Sequence, residues 1–310
     1  MSAGAMDAAR LAPELGRAIP GLRLLTEEPM ARHCSFRIGG PAALFAEPST
    51  VEELSALRRF LWEKGVEPTV IGNGTNLLVA DAGIRSVVVH IGDALGGVAA
   101  EGEDRLRAGA GLLLSRAAAY AAAQSLSGLE FAHGIPGSVG GAVVMNAGAY
   151  GGEMQDVVVS VRAMNAQGEP FDVGAAALSF SYRHSRFSES GEDIVTSALL
   201  RGTPGDRSVI DAQMAELQAK RRASQPLSQP SAGSTFKRPQ NGYAAALIDG
   251  AGLKGLSVGG AMVSRKHAGF IVNTGGATCA DVRALMERVC AAVFAAYGVE
   301  LEPEVRLLGD

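Results

Sequence analysis

Five stretches of this 310-residue chain concentrate residue types able to do chemistry. In Val70-Ile71-Gly72-Asn73-Gly74-Thr75-Asn76-Leu77-Leu78, an apolar strand pattern runs straight into two glycines and three small polar residues. Glycine lets backbone N–H groups crowd an anion, because no Cβ intervenes and positive φ costs little. Asn and Thr add side-chain donors. The stretch is not the Rossmann fingerprint, since the third residue after Gly74 is Leu77. It is not a P-loop, since no Gly-Lys-Ser/Thr follows. An ordinary strand-to-turn junction would read the same way.

The second stretch is Gly134-Ile135-Pro136-Gly137-Ser138-Val139-Gly140-Gly141-Ala142, four glycines close together around the hydroxyl of Ser138. Met145-Asn146-Ala147-Gly148-Ala149-Tyr150-Gly151-Gly152 follows and is equally rich in small residues. Two such loops, each abutting apolar sequence, point to a groove for an extended, phosphate-containing cofactor. Two tightly packed glycine hairpins are the plainer alternative. The third stretch, Ser179-Phe180-Ser181-Tyr182-Arg183-His184-Ser185-Arg186-Phe187, offers an arginine between Tyr182 and His184, either a shielded anion ligand or a surface side chain covering apolar area. The fourth, Pro230-Ser231-Ala232-Gly233-Ser234-Thr235-Phe236-Lys237-Arg238-Pro239, exposes a hydroxyl beside two cations, an arrangement that stabilises an emerging alkoxide. On its own it reads better as a solvated loop. The fifth, Leu301-Glu302-Pro303-Glu304-Val305-Arg306, puts both glutamates on one face if the strand is regular, ordinarily a solvated one. No convincing Ser-His-Asp arrangement occurs, and the five histidines are scattered.

These residues need a scaffold. Thr50 with Glu53 reads as a capping box that opens a helix over 51–64, with Leu54, Leu57 and Leu61 on one face and Gly65 as the stop. Strands are expected at 68–71, 77–79 and 86–91, a small βαβ-type opening. Further expectations are a strand at 105–110 and a helix over 112–126. A hairpin is expected at 157–164 and 170–173, and a strand at 194–201. Thr203-Pro204-Gly205 is read as a linker. Helices over 209–222, 243–248 and 281–297, a strand at 269–273 and a closing strand over 299–307 complete the pattern.

Composition narrows the class of function. Lys and Arg number 28 and Asp and Glu 32, so the formal net charge is −4, with no long basic stripe. That argues against nucleic acid or an anionic membrane as the main partner. Forty glycines make up about 13% of the chain, against a usual ~7%, and show no collagen period. Cys34, Cys279 and Cys290 are too few and too scattered for a disulfide framework or a zinc site, and no metal is expected. Residues 1–19 have no apolar signal core and no run is long enough to span a bilayer. The expected setting is soluble, reducing and cytoplasmic.

Taken in order, the five stretches resemble the UDP-N-acetylenolpyruvoylglucosamine reductase family. The resemblance runs from Phe36-Arg37-Ile38-Gly39-Gly40 to about residue 309. It implies an α+β fold, with an FAD-binding module of the vanillyl-alcohol-oxidase (PCMH) type in two subdomains plus a smaller α+β substrate domain. The division expected is 1–203 for FAD, with the C-terminal strand 299–310 returning to it, and 204–298 for substrate. The resemblance implies non-covalent FAD on Gly72, Asn73, Gly74, Thr75 and Asn76 and on Gly134, Pro136, Gly137, Ser138 and Gly140. It makes Arg183, Ser234 and Glu304 the catalytic residues and Lys237, Arg238 and Tyr182 substrate ligands. NADPH is the implied hydride donor and a UDP-sugar the substrate, in peptidoglycan precursor synthesis. One branch of the family carries an extra tyrosine-bearing loop after the arginine. Residues 183–234 are too short for it and hold no Tyr after Arg183, which places the chain with the other branch. Cys34 stands where the family often has a threonine.

Two other classes of function fit part of the pattern. Another FAD-linked oxidase or dehydrogenase would share the glycine stretches without needing Ser234 and Glu304. A flavin- or nucleotide-sugar-binding module would bind ligand without turnover.

Overall fold

The computed structural model describes residues 8–190, 192–240 and 242–309. The first seven residues, on which part of the signal-peptide reading rests, lie outside them. Contacts divide the chain into two compact units. The first comprises the chain up to Thr26, Ala43–Asn73 and Ser86–Lys220; the second comprises Glu27–Ala42, Gly74–Arg85 and the chain from Arg221 onward. Each unit closes over its own apolar cluster.

In the first unit the helix Val51–Glu63 starts where the sequence places it. Thr50 Oγ1 accepts from Glu53 N–H at 3.1 Å, satisfying one of the orphan donors of the first turn. The reciprocal half of the box is displaced by one residue, because Glu53 Oε2 accepts from Ser49 N–H at 2.7 Å. Leu54, Leu57 and Leu61 are fully buried. The strand Thr69–Ile71 pairs in parallel with Ile84–His90 in a four-stranded sheet. A five-stranded antiparallel sheet orders Pro170–Gly174, Val158–Met164, Ile194–Arg201, Arg105–Gly109 and Val98–Ala100. The first unit is therefore an α+β arrangement built on these two sheets, as expected of the fold class.

The second unit packs the helix Cys279–Tyr297 on a three-stranded antiparallel sheet of Ser257–Val258, Ala261–Val263 and Ile271–Asn273. Val282, Leu285, Val289 and Val293 are fully buried at i, i+3, i+7 and i+11. Thr278 and Asp281 form a reciprocal capping box. Asp81 reinforces that terminus, accepting from Cys279 N–H at 2.8 Å and Ala280 N–H at 3.0 Å. Gly298, at φ 66°, ends the helix in the left-handed conformation.

Several boundaries differ from expectation. Thr203–Pro204 is no linker: it pairs with Leu126–Ser127 inside the first unit, which also cuts the preceding helix to Leu114–Ala123. The contacts divide at 220/221, within the helix Arg207–Ser224, rather than at 203/204. Leu77–Val79 does not extend the sheet of Thr69–Ile71; it pairs in parallel with Arg306–Leu308. That pairing assigns the C-terminal segment to the second unit. The closing strand, expected over 299–307, is Arg306–Leu308, because residues 302–304 bond instead to Thr235–Lys237 around an isolated bridge at Pro303.

Candidate active site

The parallel pair in the first unit delivers Gly72 and Asn73 at the carboxyl end of Thr69–Ile71, the edge of an α/β sheet where ligands sit. Asn73 Nδ2 donates to the Pro136 carbonyl at 2.5 Å. A Cβ on Gly72 would collide with Ser138 Oγ, so the glycine is what lets the two loops touch. Ser138 is buried and its hydroxyl caps the short helix Val139–Val144. Its neighbours are strung along a second segment: Leu114 N–H donates to Gly137 O, Val139 N–H to Leu112 O, and Gly140 N–H to Ala110 O, each within 2.8–2.9 Å. Gly140 therefore contributes close packing against Ala110 rather than a spare donor. Gly72, Asn73, Pro136, Gly137, Ser138 and Gly140 thus come together. His133, just before Gly134, buries Nδ1 with no hydrogen-bond partner among the described residues. Asn73 also lines a cavity of about 430 Å³, with Gly92, Gly111 and Leu113, polar residues Glu47, His90 and Asp93 standing on its wall.

Arg183 belongs to the same unit. Ser181 and His184 exchange backbone hydrogen bonds at 3.1 Å, so Tyr182 and Arg183 form a tight two-residue turn. Arg183 has φ 57°, a conformation a non-glycine residue adopts only where its surroundings enforce it. Its guanidinium lies 4.8 Å from the Tyr182 ring centroid and donates to Gly148 O at 3.3 Å. The enforcement comes from Asn146, which is fully buried. Asn146 Nδ2 donates to Ser181 O and Glu153 Oε2, both at 3.0 Å, while its Oδ1 accepts from Gln155 N–H at 2.9 Å. Asn146 was visible in the sequence only as one small residue in a glycine-rich run.

In the second unit, Gly74, Thr75 and Asn76 follow one another with no protein acceptor for their N–H groups among the described residues. Gly74 is at φ 62°, and a Cβ there would collide with the His33 carbonyl. Consecutive N–H groups left open in a partly buried turn are what an anion needs. The residues of this turn therefore fit the phosphate-bearing part of FAD.

Ser234 is exposed and held by its neighbours. Thr235, 2% exposed, donates its N–H to Gly269 O at 2.8 Å, and its Oγ1 accepts from Ile271 N–H at 3.1 Å. On the other flank Glu304 N–H donates to Thr235 O at 2.8 Å and Lys237 N–H to Glu302 O at 2.8 Å, around the bridge Phe236–Pro303. The loop bearing Ser234 is thereby registered against Glu304. Glu302 and Glu304 do part company: Lys237 Nζ meets Glu302 Oε2 at 3.1 Å on the surface, while Glu304 is half-buried. Arg238 lies 3.9 Å from the centroid of Tyr243. Ser35 was missed in the sequence. Its N–H donates to Gly74 O at 3.0 Å and its hydroxyl to Ser231 O at 2.6 Å, tying the glycine turn to the Ser234 loop.

Burial pushes the thiols of Cys34, Cys279 and Cys290 up, as small structural thiols. Among the described residues no cluster of three His, Cys, Asp or Glu could hold a metal, and no helix is long and apolar enough to cross a membrane.

A family model described as the C-terminal domain of UDP-N-acetylenolpyruvoylglucosamine reductase matches residues 225–308, and one described as an FAD binding domain matches residues 42–174. The chain is 50% identical over 303 residues to a UDP-N-acetylenolpyruvoylglucosamine reductase of Agathobacter rectalis, covering 94% of this chain and 96% of the relative. It is 48% identical over 287 residues to that of Heliobacterium modesticaldum, covering 92% and 91%. A crystal structure of UDP-N-acetylenolpyruvylglucosamine reductase (MurB) from Thermus caldophilus superposes with a TM-score of 0.76 at 35% identity, over 93% of this chain and 99% of that one.

Proposed function

The chain belongs to the UDP-N-acetylenolpyruvoylglucosamine reductase family, and from that premise we propose that it reduces UDP-N-acetylglucosamine enolpyruvate to UDP-N-acetylmuramate with NADPH. The setting proposed is peptidoglycan precursor synthesis in the cytoplasm. The observation that carries the reading is the register of Phe236 on Pro303, which fixes the Ser234 loop beside Glu304. A flavoprotein that only bound its ligands would not need a hydroxyl and a carboxylate held in this way.

FAD, when bound without a covalent link, would relay a hydride from NADPH to C3 of the enolpyruvyl group. The protein's task is the charge and the proton. Hydride arrival at C3 pushes electron density toward the carboxylate as an enolate. Arg183, with a planar fork that matches a carboxylate, holds that charge. Its left-handed turn and its stacking on Tyr182 restrict the guanidinium before substrate arrives. Glu304 supplies a further hydrogen bond, directly or through water. Ser234 gives the proton to C2. Gly72–Asn76 and residues 134–140 hold the cofactor, and Tyr182, Lys237 and Arg238 contact the sugar nucleotide.

The test is anaerobic and uses the purified flavoprotein. NADPH should bleach the flavin absorbance, and the enolpyruvyl sugar nucleotide should restore it, yielding a product two mass units heavier. Bleaching without restoration by that substrate would overturn the reading.

A further inference from the structure

We infer that Asn76, which the sequence places among the cofactor donors, is the residue that positions Glu304; the inference rests on the role proposed above for Glu304. Asn76 Nδ2 donates to the Glu304 carbonyl at 3.1 Å, across 228 residues of sequence. The Asn76 carbonyl accepts from Arg306 N–H at 3.0 Å, at the head of the parallel ladder that pairs Arg306 with Leu77. One residue of the glycine turn thus grips the chain on both sides of Val305. From the opposite side, Thr235 O takes the Glu304 N–H.

The Glu304 peptide groups are therefore spoken for by two partners, one next to Ser234 and one two residues past Gly74. Pro303 has no N–H, and regular strand begins only at Arg306. Removing the Asn76 amide frees the carbonyl side of Glu304 and lets its peptide rotate, carrying the carboxylate with it. A displacement of ~1 Å at a reacting group costs ~10²-fold in rate. The turn proposed to carry FAD and the carboxylate proposed to serve the substrate are then one hydrogen-bonded unit. Asn76 is a positioning residue in this scheme.

The test compares Asn76→Ala, Glu304→Gln and the double variant as purified flavoproteins. Asn76→Asp keeps the shape and loses the donor, and stands in if the Ala variant does not fold. In Asn76→Ala, whose backbone belongs to the turn proposed to carry FAD, both half-reactions are measured per mole of bound flavin, and the loss is concentrated in the second. Reoxidation by the enolpyruvyl substrate falls by about 10- to 100-fold. The double variant is no more than a few-fold slower than Glu304→Gln, because both changes disable the same group. Hydrogen–deuterium exchange of a peptide spanning 301–308 rises in Asn76→Ala, a readout that needs no turnover. Unchanged exchange there, loss of rate that tracks loss of flavin, or losses that multiply in the double variant would each overturn the inference. A Glu304→Gln enzyme with wild-type reoxidation, alongside raised exchange in Asn76→Ala, would instead locate the failure in the role assigned to Glu304, and the positioning role falls with it.

Discussion

The Glu304 N–H donates to the Thr235 carbonyl at 2.8 Å, and Thr235 is the residue that follows Ser234. A hydroxyl in an exposed loop and a carboxylate near the C-terminus are thereby set in one register. Thr235 itself is buried and bonded to Gly269 and Ile271, so the register is anchored in the core of its unit rather than in the loop.

This arrangement makes the role of Ser234 separable. Bleaching by NADPH requires no proton delivered to carbon by the protein, whereas substrate reduction does. Ser234→Ala should leave bleaching almost intact and slow reoxidation by the enolpyruvyl substrate by about 10²–10⁴-fold. Ser234→Cys, which retains a transferable proton, should recover part of the loss. Stopped-flow traces at matched flavin occupancy decide it. Reoxidation within a few-fold of wild type in Ser234→Ala would end the assignment.

The glycine turn gives a prediction about cofactor retention. Gly74→Ala meets both a positive φ, costing about 1–2 kcal/mol in an L-residue, and the His33 carbonyl in the path of its Cβ. Gly72→Ala pushes against Ser138 and parts the two loops. Both variants should purify with reduced flavin, Gly74→Ala the more severely. Gly97→Ala, with open space around the new methyl group and no positive φ, serves as the control. Absorbance at the flavin maximum per mole of protein is the measurement, and full flavin content in Gly74→Ala would contradict it.

Asn146 gives a prediction about the arginine turn. Its three hydrogen bonds hold the Ser181 carbonyl, the Glu153 carboxylate and the Gln155 N–H, all from a fully buried position. Asn146→Ala leaves several polar groups without partners, at about 1–3 kcal/mol each where water cannot replace the bond. The melting temperature should fall by several degrees. The substrate KM should rise more than kcat falls, since Arg183 loses its preset conformation rather than its charge. Arg183→Lys should be far more damaging to turnover than its conserved charge suggests, with flavin content unchanged. A silent Arg183→Lys would remove the residue from the site.

What could be read in the sequence follows the range of the interaction concerned. The helix at Val51 and the long helix ending at Gly298 carry their caps and apolar spacing within a few residues, so local reading finds them. The strand Ile194–Arg201 is a continuous β-prone run between polar turns, and its ends emerge as expected. The five chemical stretches are local motifs too. Asn76 bonding to Glu304, Ser35 bonding to Ser231, and Asp81 capping Cys279 join residues about 200 positions apart, and no local pattern encodes them. The same holds for Leu77–Val79, whose apolar run suits either sheet and is decided by its pairing with Arg306–Leu308. Thr203–Pro204 misleads because Pro and Gly mark breaks in the chain, not borders between units.

The final prediction concerns acid stability and rests on His267. Burial holds its imidazole below the ordinary value near 6.5, and the nearby positive charge of Lys254 acts in the same direction. Its Nδ1 accepts from Gly269 N–H at 3.2 Å, a bond that requires the unprotonated nitrogen, and the ring packs edge-on against Phe270 at 4.9 Å. Gly269 is also the residue whose carbonyl anchors Thr235. The sign follows from proton linkage. With the folded-state value depressed, the unfolded chain binds more protons below about pH 6.5, so the contribution is complete above that pH. It is lost as pH falls from there toward the folded-state value. Carboxylates such as Asp281, held low by the Thr278 and Gly260 N–H groups, lose their contributions only at more acidic pH. The melting temperature should therefore decline as pH drops from 7.5 to 5.5, and His267→Gln should flatten that decline while lowering the value at pH 7.5. Thermal melts of both proteins across this interval test it, and parallel slopes for the two would show that His267 is not the group responsible.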